Sequence, residues 1–295
     1  MHNPSLTIIM PAYNETESLD YFLPEVLEFC KEKGYLLIVV DDGSKDETIE
    51  VCNKHKGENT FFTILSHKLN RGYGDAIKTG ILHSKTDYVI TIDSDGQHRL
   101  SDVEMLFSKI KETNADMIVG SRKNEKKSYY RNFGKYIIRS FAKFLLPMDI
   151  RDINSGMKMY NAELAKGYIE LCPSGMSYSD TILLVFINFK HLVLEFPIEI
   201  NKRVYGTSTI SAKTAIETVT EILNMLILFN PMKLFMRLSI VILIISLIWG
   251  LPILFDNRGL SVGTLLGLIT SIIVFLLGLI VEQISQIRKS KFYNR

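Results

Sequence analysis

Between Tyr88 and His98 the chain reads YVITIDSDGQH. A strand-like, β-branched run ends there in two carboxylates, Asp93 and Asp95, one residue apart, and Asp95-Gly96 turns the chain. Strand alternation would point both carboxylates to one side at the strand's carboxyl end. Like charges at that spacing raise each other's cost, and a cation between them relieves it. Hard oxygen donors in this arrangement suit Mg2+ or Mn2+, with substrate phosphates completing the coordination. A strand end followed by an ordinary Asp-Gly turn explains the same residues, so the choice rests on the wider chain.

Other polar residues carry compatible chemistry. In PAYNETE, Pro11 and Tyr13 could shape and stack on a flat base, while Glu15 or Asp42 accepts hydrogen bonds from its ring N–H or the ribose hydroxyls. The glycines of NRGYGDAIKTG allow close backbone approach to a ligand, and Lys78 lies on the helix that follows. A helix N-terminus with flexible glycines accounts for that loop equally well. The segment is not a Walker A loop and no GxGxxG follows the first strand, which argues against P-loop and dinucleotide chemistry.

The elements that would position these residues alternate. LTIIMPA, LLIVVDD, FFTILSH, YVITIDSD and ADMIVGS are short apolar runs with strand character, separated by helical patterns at 17–33, 46–55, 73–84 and 101–113. That alternation predicts an α/β domain with a mostly parallel sheet and right-handed crossovers. Ligands bind such sheets beyond the strands' carboxyl ends, and all five of these ends carry polar, chemically useful residues.

The 295 residues allow one substantial domain and a smaller attachment. A net charge of +2 and a pI near 8.3 give no sign of a nucleic-acid partner. Cys30, Cys52 and Cys172 have no metal-type spacing and read as buried thiols in a reducing compartment. MHNPS followed by LTIIM lacks a basic n-region and an apolar run of secretory length, so no signal peptide is expected.

The 47% apolar content is unevenly spread. Residues 238–255 and 259–281 contain no charged side chain, long enough for a bilayer core of about 30 Å. They predict a two-helix transmembrane hairpin within 237–287, turned at Asp256-Asn257-Arg258. Lys233 and Arg237 precede it, and Arg288, Lys289, Lys291 and Arg295 follow in a basic tail, 288–295. By the positive-inside rule both flanks and the large N-terminal part are cytoplasmic, at a plasma membrane. Ile216, Val219, Leu223 and Leu226 keep helical spacing, so 211–236 is expected to be an amphipathic juxtamembrane segment, with packing on the catalytic domain an equal alternative.

IIMPAYNE, VVDDGSKDET, NRGYGDAIKTG, TIDSDGQH and GSR, in this order, followed by INSGMKMY and RVYGTS, resemble a family 2 glycosyltransferase with the GT-A fold over residues 6–210. The D-x-D-x-Q form and the C-terminal hairpin narrow the resemblance to polyprenyl-phosphate glycosyltransferases. It implies a GT-A catalytic domain at 1–210 and inverting transfer of one sugar from a UDP- or GDP-sugar to a polyprenyl phosphate at the bilayer. It places a metal on Asp93, Asp95 and Gln97, and the nucleotide sugar on Pro11, Ala12, Tyr13, Glu15, Asp42, Gly74, Lys78, Asp93, Ser94 and Asp95.

Arg122, Arg131, Lys135, Arg139 and Arg203 lie in segments that such enzymes fold around the acceptor. Of these, Arg122, Arg131 and Arg203 are the residues expected to hold the acceptor phosphate and to serve catalysis with Asp93 and Asp95; a solvated basic face is the alternative. The chain departs from the family after RVYG, where Thr209 stands in place of the usual Lys and Lys213 is the nearest substitute. Asp152 is expected to order a loop. Asp180 is the candidate base if the acceptor is a hydroxyl, and structural if it is a phosphate. A processive synthase would carry Q-x-x-R-W, whereas Trp249 lies in a span. A non-catalytic nucleotide-sugar-binding subunit is a further alternative, and the hairpin offers a surface for homo-oligomer formation.

Overall fold

The computed structural model describes residues 5–122, 152, 153, 155–201, 227, 229–256, 259 and 261–293, and the chain divides into two compact units. Arg131, Lys135, Arg139, Arg203, Thr209 and Lys213 lie outside the described residues, as does most of the segment 211–236 expected to be an amphipathic juxtamembrane segment.

In the first unit the apolar runs become strands because both of their faces are covered. All seven residues of β1 (Leu6–Ala12) are buried. Beside it lie β2 (Leu36–Asp41), β3 (Phe62–Ser66), β4 (Tyr88–Thr91) and β5 (Met117–Arg122). Between them run α1 (Thr16–Lys33), α2 (Thr48–Lys56), α3 (Tyr73–His83) and α4 (Leu100–Thr113), each bounded within two residues of its expected limits. In α4 the buried side chains are Leu100, Val103, Leu106, Phe107 and Ile110. That i, i+3, i+4 stripe turns one face to the sheet.

Two further strands complete the sheet. β6 (Lys158–Asn161) runs antiparallel to both β4 and β5, between them. β7 (Val193–Ile198) lies parallel to β5. The order is β3-β2-β1-β4-β6-β5-β7. Because β6 alone is reversed, β1 to β5 still bring their carboxyl ends to one edge, as a mostly parallel sheet requires. After β6 come α5 (Ala162–Tyr168), whose first turn is capped by Asn161 Oδ1 accepting from the Glu163 and Leu164 N–H groups, and α6 (Tyr178–Asn188).

The second unit holds α7 (Pro231–Phe255) and α8 (Val262–Tyr293), an antiparallel hairpin. Both helices are long and apolar enough to cross a membrane, with mean hydropathy 2.7 over their most apolar stretch and 17% of it buried. Small residues form the seam. The Ser239 hydroxyl donates to the Ser271 carbonyl at 2.9 Å, Gly250 packs on Thr264, and Gly267 on Ser246. At the open end Glu282 Oε2 accepts from the Met232 N–H at 3.3 Å, and Lys289 Nζ donates to the Phe229 carbonyl at 2.8 Å. The second helix starts at Val262 rather than at 259, because Gly259 takes φ +75° in the turn.

Candidate active site

The strand-end loops enclose a cavity of about 440 Å³. Pro11, Ala12, Tyr13 and Glu15 line it from the end of β1, and Asp42 from the end of β2. Asn70, Gly72, Tyr73 and Ala76 come from the start of α3, and Asp93, Ser94 and Asp95 from the turn after β4. Gly156 and Met176, from the segments before β6 and α6, close it together with Ser179 in the first turn of α6.

Hydrogen bonds between the first two loops hold this rim. The Asn14 N–H donates to Ser44 Oγ, the Lys45 N–H to Asn14 Oδ1, and the Glu15 N–H to Thr48 Oγ1, each at 2.9 Å. Asp42 is buried and organises the third loop. Its Oδ1 accepts from the Arg71 N–H at 2.9 Å and lies 2.7 Å from His67 Nδ1, while its Oδ2 accepts from the Gly72 N–H at 2.7 Å. His67 reaches Thr79 Oγ1 through Nε2 at 2.9 Å, so it ties the loop to α3. Gly72 has φ +102°, and a Cβ there would lie 2.5 Å from the Ser174 carbonyl oxygen. Only glycine meets both demands.

β4 stops at Thr91, so Asp93 and Asp95 sit in the turn beyond the strand rather than on its alternating face. Three consecutive residues, Ser94 included, therefore line the cavity. The turn is closed by the Asp93 N–H donating to His98 Nδ1 at 3.0 Å and the Gln97 N–H to Asp95 Oδ1 at 3.1 Å. The Tyr73 hydroxyl donates to Asp93 Oδ1 at 3.1 Å. Burial, and then the adjacent Asp93 charge, push that phenol well above its ordinary value, so it stays a donor.

Among the described lining residues are four acids (Glu15, Asp42, Asp93, Asp95) and no Lys or Arg. An anionic ligand enters such a pocket only with a cation. Two carboxylates in one turn fit a hard divalent ion that takes one or two protein carboxylates and fills its shell from phosphates. Among the described residues no cluster of three or more His, Cys, Asp or Glu could hold a metal unaided.

Eight of the ten expected nucleotide-sugar residues line the cavity; Gly74 and Lys78 do not. Gly74 is buried in the first turn of α3, where its N–H donates to the Ser174 carbonyl at 2.7 Å. Lys78 Nζ pairs with Asp75 at 3.0 Å. Gln97 is absent from the lining, and its carbonyl accepts from the Asn201 N–H at 2.9 Å. Arg122 ends β5 with its fork on Asp152, Nε to Oδ2 at 2.8 Å and Nη2 to Oδ1 at 2.9 Å. Burial raises the Asp152 carboxyl, but hydrogen bonds from Arg122 outweigh it and hold the group below its usual value. Asp180 lies in the first turn of α6.

Sequence reasoning missed Tyr73, His67, Ser179 and Lys158. Lys158 is fully buried in β6. Its ammonium donates to the Ile153 carbonyl at 3.0 Å, to the Ser155 carbonyl at 2.5 Å and to Ser179 Oγ. One signal was present: a lysine between two methionines in a strand-length run, which is costly in a core unless its charge is used.

Residues 7–169 match the family described as Glycosyl transferase family 2, and residues 230–287 match the GtrB C-terminal hairpin. A dolichyl-phosphate beta-glucosyltransferase of Dictyostelium discoideum is 33% identical over 183 residues, 56% of each chain. One of Saccharomyces cerevisiae is 31% identical, covering 65% of this chain and 66% of its own. The chain thus spans between about half and two thirds of these relatives. An uncharacterized protein of Methanocaldococcus jannaschii is 30% identical, covering 77% of this chain and 93% of its own. Among solved structures, glucosyl-3-phosphoglycerate synthase from Mycobacterium tuberculosis, in complex with Mn2+, UDP and phosphoglyceric acid, superposes with TM-score 0.60 at 15% identity. That match covers 76% of this chain and 78% of the other. The likeness is one of fold: a mostly parallel mixed sheet of GT-A type.

Proposed function

The chain belongs to glycosyltransferase family 2, and on that premise we propose that it transfers one glucose from UDP-glucose to a polyprenyl phosphate at the cytoplasmic face of a membrane, with inversion at the anomeric carbon. The observation that carries this reading is the acid-lined cavity at the sheet's carboxyl edge, with Asp93 and Asp95 in one turn.

Asp93 and Asp95 would hold a divalent cation, Mg2+ or Mn2+, with Gln97 as the further oxygen ligand that the family pattern implies. Bound there, the cation supplies Lewis-acid stabilisation of the departing diphosphate. Pro11 and Tyr13 would wall the base. Asp42 already accepts at three positions, two on Oδ1 and one on Oδ2. It has room on Oδ2 for one ring N–H, as uracil offers, but not for the paired donors of guanine on both oxygens. This favours UDP over GDP, and glucose follows the relatives' names.

The acceptor phosphate is an anion at neutral pH, so no general base is required. Its oxygen attacks the anomeric carbon, the bond from that carbon to the diphosphate oxygen breaks, and UDP leaves with the electron pair. Arg122, pre-oriented by Asp152, would screen and place the phosphate together with Arg131 and Arg203. The hairpin would hold the catalytic unit at the bilayer where the lipid resides, and Lys233, Arg237, Arg288 and Lys289 orient it toward the cytoplasm.

The test is transfer of radiolabelled sugar into the lipid phase. Purified full-length protein in detergent is given polyprenyl phosphate, Mn2+ or Mg2+, and UDP-glucose or GDP-glucose. Asp95→Ala should lower the rate by roughly two orders of magnitude or more. Label appearing on a hydroxyl acceptor instead would overturn the phosphate reading and make Asp180 the base to remove.

A further inference from the structure

Lys158 does not line the cavity, yet two residues that do are placed through it. Its ammonium is fully buried, and its hydrogen bonds run to three separate places: the carbonyls of Ile153 and Ser155 ahead of β6, and the Ser179 hydroxyl in the first turn of α6. Ser179 Oγ also donates to the Ser155 carbonyl at 2.7 Å, so strap and helix meet at one point. Next along the strap is Gly156, whose carbonyl accepts from the Thr91 hydroxyl at the end of β4 at 2.7 Å. A Cβ on Gly156 would come 2.5 Å from Asp93 Oδ2, so the Asp93 carboxylate rests directly against this backbone. On its other side Asp93 takes the Tyr73 hydroxyl.

We propose that Lys158 is a positioning residue for the transfer reaction, its buried ammonium pinning Ile153, Ser155 and Ser179 so that Gly156, next along the strap, holds the Asp93 carboxylate in place for the divalent cation. This rests on the reading that Asp93 binds that cation.

Chemistry supports the assignment over mere filling of the core. An apolar side chain would fill the same volume without the cost of burying a charge. What an ammonium adds is three directed donors on a flexible stem, able to gather two carbonyls and a hydroxyl from two segments. It also sets a positive charge beneath an acid-lined pocket, in the field of Asp180, Asp152 and Asp93, where it offsets their mutual repulsion. Groups that orient a metal ligand without touching the metal change affinity or activity by about 10–100-fold.

The experiment measures Mn2+ binding by electron paramagnetic resonance, and transfer kinetics, on the full-length protein in detergent. The variants are Lys158→Met and Ser179→Ala, the latter cutting one of the three contacts and leaving the charge in place. The expected result for Lys158→Met is Mn2+ affinity about tenfold or more weaker per folded molecule, with kcat reduced and the KM for polyprenyl phosphate unchanged. Ser179→Ala should move both in the same direction by less. Should Lys158→Met not fold, Ser179→Ala and Lys158→Arg carry the test, the arginine restoring part of the Mn2+ affinity through its retained charge and donors. Variants that only lower the melting temperature, with Mn2+ affinity and kcat as in the wild type, overturn the positioning role. Wild-type protein that binds no Mn2+ overturns it too, together with the metal reading beneath it, and that result is visible before any variant is made.

Discussion

At the scale of single residues, the pocket's chemistry depends on how its carboxylates are occupied. Asp42 spends its acceptors on its own loop, whereas Asp93 receives one phenol and leans on glycine backbone. Tyr73→Phe deletes a hydrogen bond to a charged group, about 1.5–3 kcal/mol in typical cases. It should weaken Mn2+ binding by about tenfold in a titration and lower the melting temperature by several degrees. Lys158 supports a pH prediction of opposite signs. Burial lowers its ammonium from the usual 10.5 to about 8, partly offset by Asp180 and Asp152, with Arg122 adding to the depression and Asp93 opposing it. Between about pH 8 and 10.5 the unfolded chain binds more protons than the folded one, so this group's contribution to stability rises with pH across that window. The neutral amine keeps one donor fewer, so turnover should fall above about pH 8 while stability does not follow it down; rate and melting profiles over the same buffers distinguish the two. Asp93 and Asp95 were legible in the sequence because two carboxylates at a strand end are hard to explain otherwise. Tyr73 was not, since what matters is its contact to Asp93, 20 residues further along the chain, and Lys158 offered only its place in an apolar run, without the partners that use its charge.

Among the elements, those with a strong local period were found within two residues: the apolar runs of β1, β2, β3 and β5 and the stripes of α1 to α4, while β4 ends at Thr91, short of the carboxylates included in its run. β6 escaped because four residues, KMYN, are too short to show a period and one of them is a buried lysine. The glycine loop ahead of α3 was recognised as tight, but for a partly different reason. Its N–H groups are taken by Asp42 and the Ser174 carbonyl, and Gly72 leaves no room for a Cβ beside that carbonyl. Gly72→Ala should therefore cost about 1–3 kcal/mol through its positive φ alone, with the clash in addition. Denaturant unfolding of the full-length protein measures it. UDP affinity should fall in parallel, because the same loop lines the cavity.

At the scale of the whole molecule, two units of different character share one chain. The first hides its apolar residues on both faces of a sheet, whereas the second exposes them along α7 and α8, where Ile248, Phe255 and Leu266 are each more than half exposed. That much contiguous apolar surface is unusual on a soluble protein, and a bilayer would cover it. Protein expressed in cells should stay with the membrane fraction through an alkaline carbonate wash, and its release would return the hairpin to the class of soluble core helices. This division was evident from the uneven spread of apolar residues. The sheet's strand order was not, because nothing local says that a later segment inserts between β4 and β5.

That insertion bears on how the protein is made. The strand that leads into Asp93 and Asp95 finds its second neighbour only when residues 158–161 have been synthesised, long after β4 itself has left the ribosome. Without β6, β4 would be an edge strand beside the permanent edge at β3, and β5 would have no partner on that side. Late, long-range pairing of this kind slows folding and leaves a strand edge open to wrong partners. A nascent chain halted before Lys158 would therefore carry both carboxylates of the site and the strap beside them, but neither the ammonium that pins that strap nor the strand that flanks β4.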